Sequence, residues 1–529
     1  MPGAPAPGVF VGSTLSQSHL RLLLLGLSLA TGMEFYTFDS MNLVLADLTG
    51  SLGVSPDEAS WILTVYSSTL FLGIPVSIWM AGHYGYKRFL IVSVIVFAAA
   101  SMGCALASTL HTMLFWRAVQ GLAGSGLTVW WRASLYILMP KAQRSVTLMR
   151  VSTVLFLSSA LGLVTSGWIT DHYNWRLIFL PDLLYAGGAV WLLAHYYPDL
   201  PRAISSRVAG TDWLGITLLA VALIGLQVIL SRGEIDDWFG SNHIRVLSWL
   251  SSAALLLFGW WQTSPRNTTP LLRLDLFRNR YVLSSSLIGI FTGMILSGSL
   301  FVLPEYLRNV AEQSHSATQA GRLVCVYAIT AAVMRRWVVD LIAALGQRKA
   351  IAISLGALVV SMLLFNRFLT AGTSDGYYLL PLVLYGCCVT ILLPSVGSGT
   401  VAKIDQAQLL DGVSLYMTFR TFGTSLGIAV LSILLEERET FHSSRLFEHL
   451  RQGNPLLDHW LQTAGGAMVL NGGVSPGDAG MKAVKAMAEA GARQAITLSN
   501  ADAFGFMAVV GVLALCCIPI IPPTPAAKK

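Results

Sequence analysis

Residues 22–42 read "LLLLGLSLATGMEFYTFDSMN". The first half is an apolar run of the kind that enters a membrane. The second half carries two carboxylates, Glu34 and Asp39. A charged side chain in hydrocarbon costs about 2.5 to 3.5 kcal/mol even on the lenient insertion scale. If this stretch spans a bilayer, its acids must face a bundle interior or an aqueous cavity. The rest of the chain has to supply that interior.

The composition says that it does. The 529 residues are 54% hydrophobic and 12% charged, with mean hydropathy +0.64. A soluble domain carries about 25% charged residues, so this is one polytopic membrane protein. The net charge is +7. A nucleic-acid binder would gather that charge on one face, whereas here Lys and Arg sit in short loops between apolar segments. The six cysteines lie in apolar runs with neither a disulfide framework nor a zinc spacing. The Pro/Gly-rich start, "MPGAPAPGVFVGSTLSQSH", lacks the basic n-region of a cleaved signal. "GLAGSG" (121–126) lies within a span and has no following Lys-Ser/Thr, so it is not a nucleotide loop. No nucleophile and base can be matched by spacing. We expect no enzyme, no metal and no cofactor.

A helix needs about 20 apolar residues to cross the hydrocarbon core. That rule predicts fourteen spans, near 20–46, 58–82, 89–108, 112–138, 147–170, 177–197, 212–231, 244–262, 282–303, 317–342, 350–370, 377–401, 413–434 and 503–522. One set of loops carries Lys87 and Arg88, Lys141 and Arg144, Arg202 and Arg207, Arg266 to Arg280, Arg348 and Lys349, Lys403, and the tail Lys528 and Lys529. The alternate loops lack or balance positive charge. Both termini are therefore expected in the cytoplasm. Residues 1–19 and 523–529 are read as cytoplasmic tails, and 435–502 as an extracytoplasmic loop whose end is an amphipathic helix.

Two of the basic loops match. Residues 85–88 read "GYKR" and 346–349 read "GQRK", each Gly-x-basic-basic, offset by 261. The same offset relates Gly162 to Gly423 and Ser166 to Gly427. Each of these pairs is one small-x-x-x-small step inside a helix, which lets helices approach closely. The reading is a duplicated six-helix unit: a bundle over 20–200, two inserted helices with linkers over 201–280, and a second bundle over 281–522. Transporters built from such repeats hold substrate at the repeat interface near the midplane.

These residues resemble the major facilitator superfamily, and most of all its fourteen-helix drug:proton antiporter branch of the EmrB/QacA type. "WMAGHYGYKRFL" is similar to the loop signature after helix 2, with Gly85, Lys87 and Arg88. "FWRAVQGLAGSG" resembles the helix-4 signature, with Arg117, Gln120, Gly121 and Gly124. "SALGLVTSGWITDHYNWRLIF", with Gly162, Ser166 and Gly167, resembles the helix-5 antiporter signature. "DWLGITLLAVALIGLQVILSRGEIDDWF" is similar to inserted helix 7, and "FRTFGTSLGIAVLSILLEER", with Arg420, Gly423 and Gly427, to helix 13. The chain departs from the pattern at Gly82, where an acid is usual, and at Leu163, where a proline is usual. The resemblance implies two six-helix bundles rocking around a central cavity in a bacterial inner membrane. It implies export of bulky amphipathic compounds in exchange for protons. In a host with two membranes it also implies a periplasmic adaptor and an outer-membrane channel. A transporter of one metabolite and a non-transporting sensor are the alternatives.

The two acids take their place in this scheme. Glu34 lies about 18 Å along the axis from Leu22, near the midplane. Asp39 is further out, at the depth of Arg117 on helix 4, which makes Arg117 its expected partner. Glu34 has no partner in the sequence and is the better proton carrier. For both acids the alternative to proton coupling is a fixed pair bracing two helices. Phe35, Phe38, Asn42, Tyr66, Gln120 and Trp130 are candidates to line the substrate cavity. Gly346, Arg348 and the small-residue steps are candidates for gating and packing. Arg132 is expected to snorkel or to pair, and Arg420 to form a structural pair.

Overall fold

The computed structural model describes residues 16–199, 211–233, 236–309, 315–370, 372–401, 404, 408–448, 455–472 and 475–522. Among them all regular structure is helical. The long helices are α1 (Gln17–Leu52), α2 (Pro56–Tyr84), α3 (Tyr86–Leu106), α4 (Leu110–Leu138), α5 (Lys141–His172), α6 (Leu180–Tyr196), α7 (Trp213–Arg232) and α8 (Asn242–Thr263). They continue as α9 (Arg280–Asn309), α10 (Ala317–Leu345), α11 (Gln347–Phe368), α12 (Gly376–Val401), α13 (Leu409–Glu448), α14 (Pro455–Gly472) and α15 (Pro476–Cys516).

The ends follow from local chemistry. Ser55 and Glu58 form a capping box at the start of α2, with Pro56 in the first turn, and Ser316 and Gln319 do the same for α10. α1 stops at Gly53, whose φ of 66° is left-handed. Gly85 joins α2 to α3 at φ 94° and Gly346 joins α10 to α11 at φ 76°. The two matching loops of the sequence thus make the same kind of turn, one that a residue with a Cβ rarely adopts.

α1 packs on α5 and α6, α4 on α2 and α3, and α3 on α6. In the second half α9 packs on α13, α12 on α10 and α11, and α15 on α11 and α13. The two groups meet mainly through α5 against α10 and α2 against α13. The α7–α8 hairpin lies outside this seam, with α7 touching α2 and α13.

Eleven helices among the described residues are long and apolar enough to cross a membrane. α1, α4, α10 and α14 fall outside that set. The first three bury Glu34 and Asp39, Arg117, and Arg335. The stretch 435–502, expected as a loop, is largely helical where it is described. α13 runs past residue 434 to Glu448, α14 follows, and α15 begins at Pro476 and passes unbroken into the last apolar segment. Residues 1–15, the segment with Arg202 and Arg207, Lys403, and the tail with Lys528 and Lys529 lie outside the described residues.

Candidate functional site

α1 is held in place by close approach. A Cβ on Gly162 would lie 2.7 Å from the Tyr36 carbonyl oxygen, so α5 sits directly on α1. The Ser40 hydroxyl donates to the Gly162 carbonyl at 3.2 Å. Gly423 and Gly427 meet the backbone of Ile290 and Met294 in the same way, joining α13 to α9. Gly121 and Gly124 abut α2, and Gly167 abuts the start of α10. Ser166 is fully buried and donates only within its own helix. Lys87 and Arg348 are half-buried and Arg88 is exposed, all beside the two glycine turns.

With α1 so placed, both acids point inward. Glu34 is buried. Its Oε1 accepts a hydrogen bond from the Thr128 hydroxyl at 2.6 Å, and its Oε2 has no partner. Asp39 is buried too, and its Oδ2 accepts from the hydroxyls of Ser159 on α5 and Tyr327 on α10, the latter at 2.9 Å. Asp39 therefore ties the two halves together.

The expected Asp39–Arg117 pair is absent. The fully buried Arg117 turns away from α1. Its Nε donates to the Ile62 carbonyl at 3.2 Å, and its Nη1 to Gln120 Oε1 at 2.6 Å. Its guanidinium lies 4.3 Å from the centre of the Tyr66 ring. Gln120 passes the connection on, donating to the Ser101 hydroxyl at 2.7 Å, which lies beside Asp182 on α6. Thr37 on α1 donates to the same carboxylate at 2.8 Å. Asp182 is the acid that faces the charge of Arg117. Equal depth along two helices did not decide the partner; rotation about the helix axis did.

A central cavity of about 140 Å³ opens beside Glu34 and Asp39. Phe35, Phe38 and Tyr66 line it, joined by Arg132, Phe156, Tyr327, Tyr385 and Arg420. A second cavity of about 280 Å³ shares Arg132 and Leu393 with it. This one extends along α10 past Arg335, Val338 and Ala343, towards the Gly346 turn. Three expected lining residues are elsewhere. The Asn42 side chain donates to the Phe38 carbonyl at 2.8 Å. Gln120 is held in the Arg117 network. Trp130 is buried against Tyr86, ring centres 4.8 Å apart.

On the opposite side the seam is closed. Arg308 on α9 forms an ion pair with Asp47 on α1, Nη2 to Oδ1 at 2.8 Å. The Asp171 carboxylate at the end of α5 accepts the first backbone N–H groups of α10, Ala317 at 3.0 Å and Thr318 at 2.7 Å, as an acid at a helix N-terminus should.

Sequence reasoning missed Asp182, Arg335, Tyr327, Ser159 and Thr128. For the first two a signal existed. Each is an ionisable residue inside a predicted span, and such residues are functional candidates by default. The three hydroxyls gave none, since Ser, Thr and Tyr are ordinary in spanning helices.

A family model described as the Major Facilitator Superfamily matches residues 27–428. The "Multidrug export protein EmrB" of Escherichia coli (strain K12) is 25% identical over 441 residues, covering 83% of this chain and 85% of that protein. The "Fatty acid resistance protein FarB" of Neisseria gonorrhoeae is 24% identical over 443 residues, covering 82% and 85%. Among solved structures, the proton:xylose symporter XylE superimposes with a TM-score of 0.60 at 12% identity, covering 95% of each chain. The human organic anion transporter MFSD10 does so with a TM-score of 0.56 at 14% identity, covering 94% and 98%.

Proposed function

Because the chain belongs to the major facilitator superfamily, we propose that it is a secondary transporter that exports bulky amphipathic compounds in exchange for protons. The observation that carries this reading is Glu34. It is a buried carboxylate with one unpartnered oxygen, facing a cavity that both halves line. A carboxyl poised between burial and nearby cations can gain and lose a proton as its surroundings change, which is what proton coupling needs. The aromatic and aliphatic walls suit the apolar body of a substrate. In this reading fourteen helices span a bacterial inner membrane, both termini are cytoplasmic, and 20–200 and 281–522 rock as two bundles with 201–280 inserted. Asp39, at the seam, braces the halves. The relatives named as export proteins support the direction of transport. In a host with two membranes, a periplasmic adaptor and an outer-membrane channel would carry the compound onward.

The test uses inverted membrane vesicles and a fluorescent amphiphile. Uptake should follow an imposed proton gradient and collapse with a protonophore. Glu34→Gln, which imitates the protonated acid without changing its shape, should insert and bind the dye but lose gradient-driven uptake. Normal gradient-driven uptake by Glu34→Gln would remove Glu34 from the mechanism. Wild-type uptake that survives full loss of the gradient would remove antiport and leave a facilitator.

A further inference from the structure

An exchanger must prevent its empty, deprotonated form from changing sides, because that step would let substrate run without protons. The structure contains a pair of groups suited to that task. Glu34 Oε2 on α1 and Arg420 Nε on α13 each lack a hydrogen-bond partner, and both residues line the central cavity. α1 belongs to the first half and α13 to the second. A buried carboxylate oxygen and a buried guanidinium N–H without partners are each costly. Moving the halves together would satisfy both at once.

We propose that Arg420 is the positioning residue for Glu34: an ion pair between them forms across the halves when the cavity is empty and Glu34 is ionised. In that state the pair holds the carrier still. A proton on Glu34 abolishes the charge it rests on, and a substrate in the cavity keeps the two groups apart. Only the loaded carrier or the protonated carrier then reorients, which is the rule of obligatory exchange. This rests on the reading of Glu34 as the proton site.

The other ionisable groups around the cavity do not substitute for Arg420. Asp39 on α1 and Tyr327 on α10 are engaged with each other and with Ser159. Tyr66 on α2 lies under Arg117, and Tyr385 on α12 donates to the Leu296 carbonyl at 3.1 Å. Arg132 is the remaining cation. It comes from α4, in the same half as Glu34, so pairing with it would not join the halves.

The experiment uses purified full-length protein in liposomes loaded with the fluorescent amphiphile. Exchange of internal for external dye needs only the loaded carrier to move. Net efflux also needs the empty carrier to return. In the wild type both should run at acid pH. As the pH rises and Glu34 ionises, net efflux should fall at least ten-fold while exchange continues. In Arg420→Gln, net efflux should stay fast at high pH and gradient-driven accumulation should be lost. Arg420→Lys should restore the pH dependence. Net efflux in the wild type that tracks exchange at every pH would overturn the proposal without any variant. So would an Arg420→Gln protein that still accumulates dye against its gradient. Failure of the wild type to accumulate dye at all would instead overturn the antiport reading.

Discussion

Arg117 illustrates what a sequence can and cannot say about one residue. Its type, its burial and its depth in α4 were legible, because an arginine inside a span must find an inward-facing site. Its partner was not. Each residue turns a helix by about 100°, and the direction that matters depends on which helices are neighbours. α4 packs on α2 and α3, so Arg117 reaches Ile62, Tyr66 and, through Gln120 and Ser101, Asp182. The energetic consequence differs from one for an Asp39 pair. Asp182→Asn should weaken the charge-assisted hydrogen bond from Thr37 and remove the acid nearest Arg117, at a cost of about 1.5 to 3 kcal/mol. Asp39→Asn should cost only about 1 to 2 kcal/mol, because the Ser159 and Tyr327 hydroxyls can donate to an amide oxygen as well. Adding Arg117→Gln to Asp182→Asn should recover part of the loss. Thermal unfolding of the detergent-purified variants measures this. An Asp39→Asn protein less stable than Asp182→Asn would put the network centre back on α1.

At the scale of elements, the glycine turns and small-residue steps were readable because they are local. The helices of 435–502 were only partly so. "EERETFHSSRLFE" has neither Gly nor Pro, so α13 has nothing to stop it at the membrane surface and runs to Glu448. The inserted hairpin shows the opposite case, a familiar motif whose anchor is invisible in one dimension. Asp212 caps α7 just before its apolar span. Its two oxygens accept from Gly215 N–H at 2.8 Å, Trp261 Nε1 at 2.7 Å, Gln262 Nε2 at 2.6 Å, Asn267 Nδ2 at 2.9 Å and Leu271 N–H at 3.2 Å. One carboxylate thus fixes α7, α8 and the linker after it. Burial pushes this carboxyl up, but the donated hydrogen bonds outweigh burial and hold it below its usual range. A carboxyl lowered by folding stabilises the fold above its unfolded value, and that contribution is lost as the pH falls through the folded one. Asp212→Asn should therefore cost about 1.5 to 3 kcal/mol at neutral pH, and its deficit should narrow below about pH 4. Unfolding midpoints across that range are the measurement, and a deficit independent of pH would mean that shape rather than charge holds the hairpin.

At the scale of the molecule, the hydropathy made the all-helical membrane architecture readable, since it is a sum over many residues. The conformation was not readable, because it is set by contacts between residues hundreds of positions apart. The structure is closed on one side by Asp47–Arg308 and by Asp171 on the start of α10, while the cavity of about 280 Å³ extends towards the Gly346 turn. In the proposed orientation the closed side faces the exterior. The Asp47–Arg308 pair is partly exposed, with side chains 26% and 13% accessible, so it should be worth about 1 kcal/mol rather than the larger value of a dry pair. Removing it should tilt the balance between the two faces by about five-fold, not abolish the closed state, because the Asp171 cap remains. In an Arg308→Gln background, a cysteine replacing Leu300 in the central cavity should react with a membrane-impermeant maleimide from outside about five times faster than in the wild type. Asp47→Asn should give the same increase. The double variant should give no more, since both changes break one interaction. An additive double variant would mean that the two residues act through separate contacts, and an unchanged rate in all three would place the closure entirely on the α5–α10 contact.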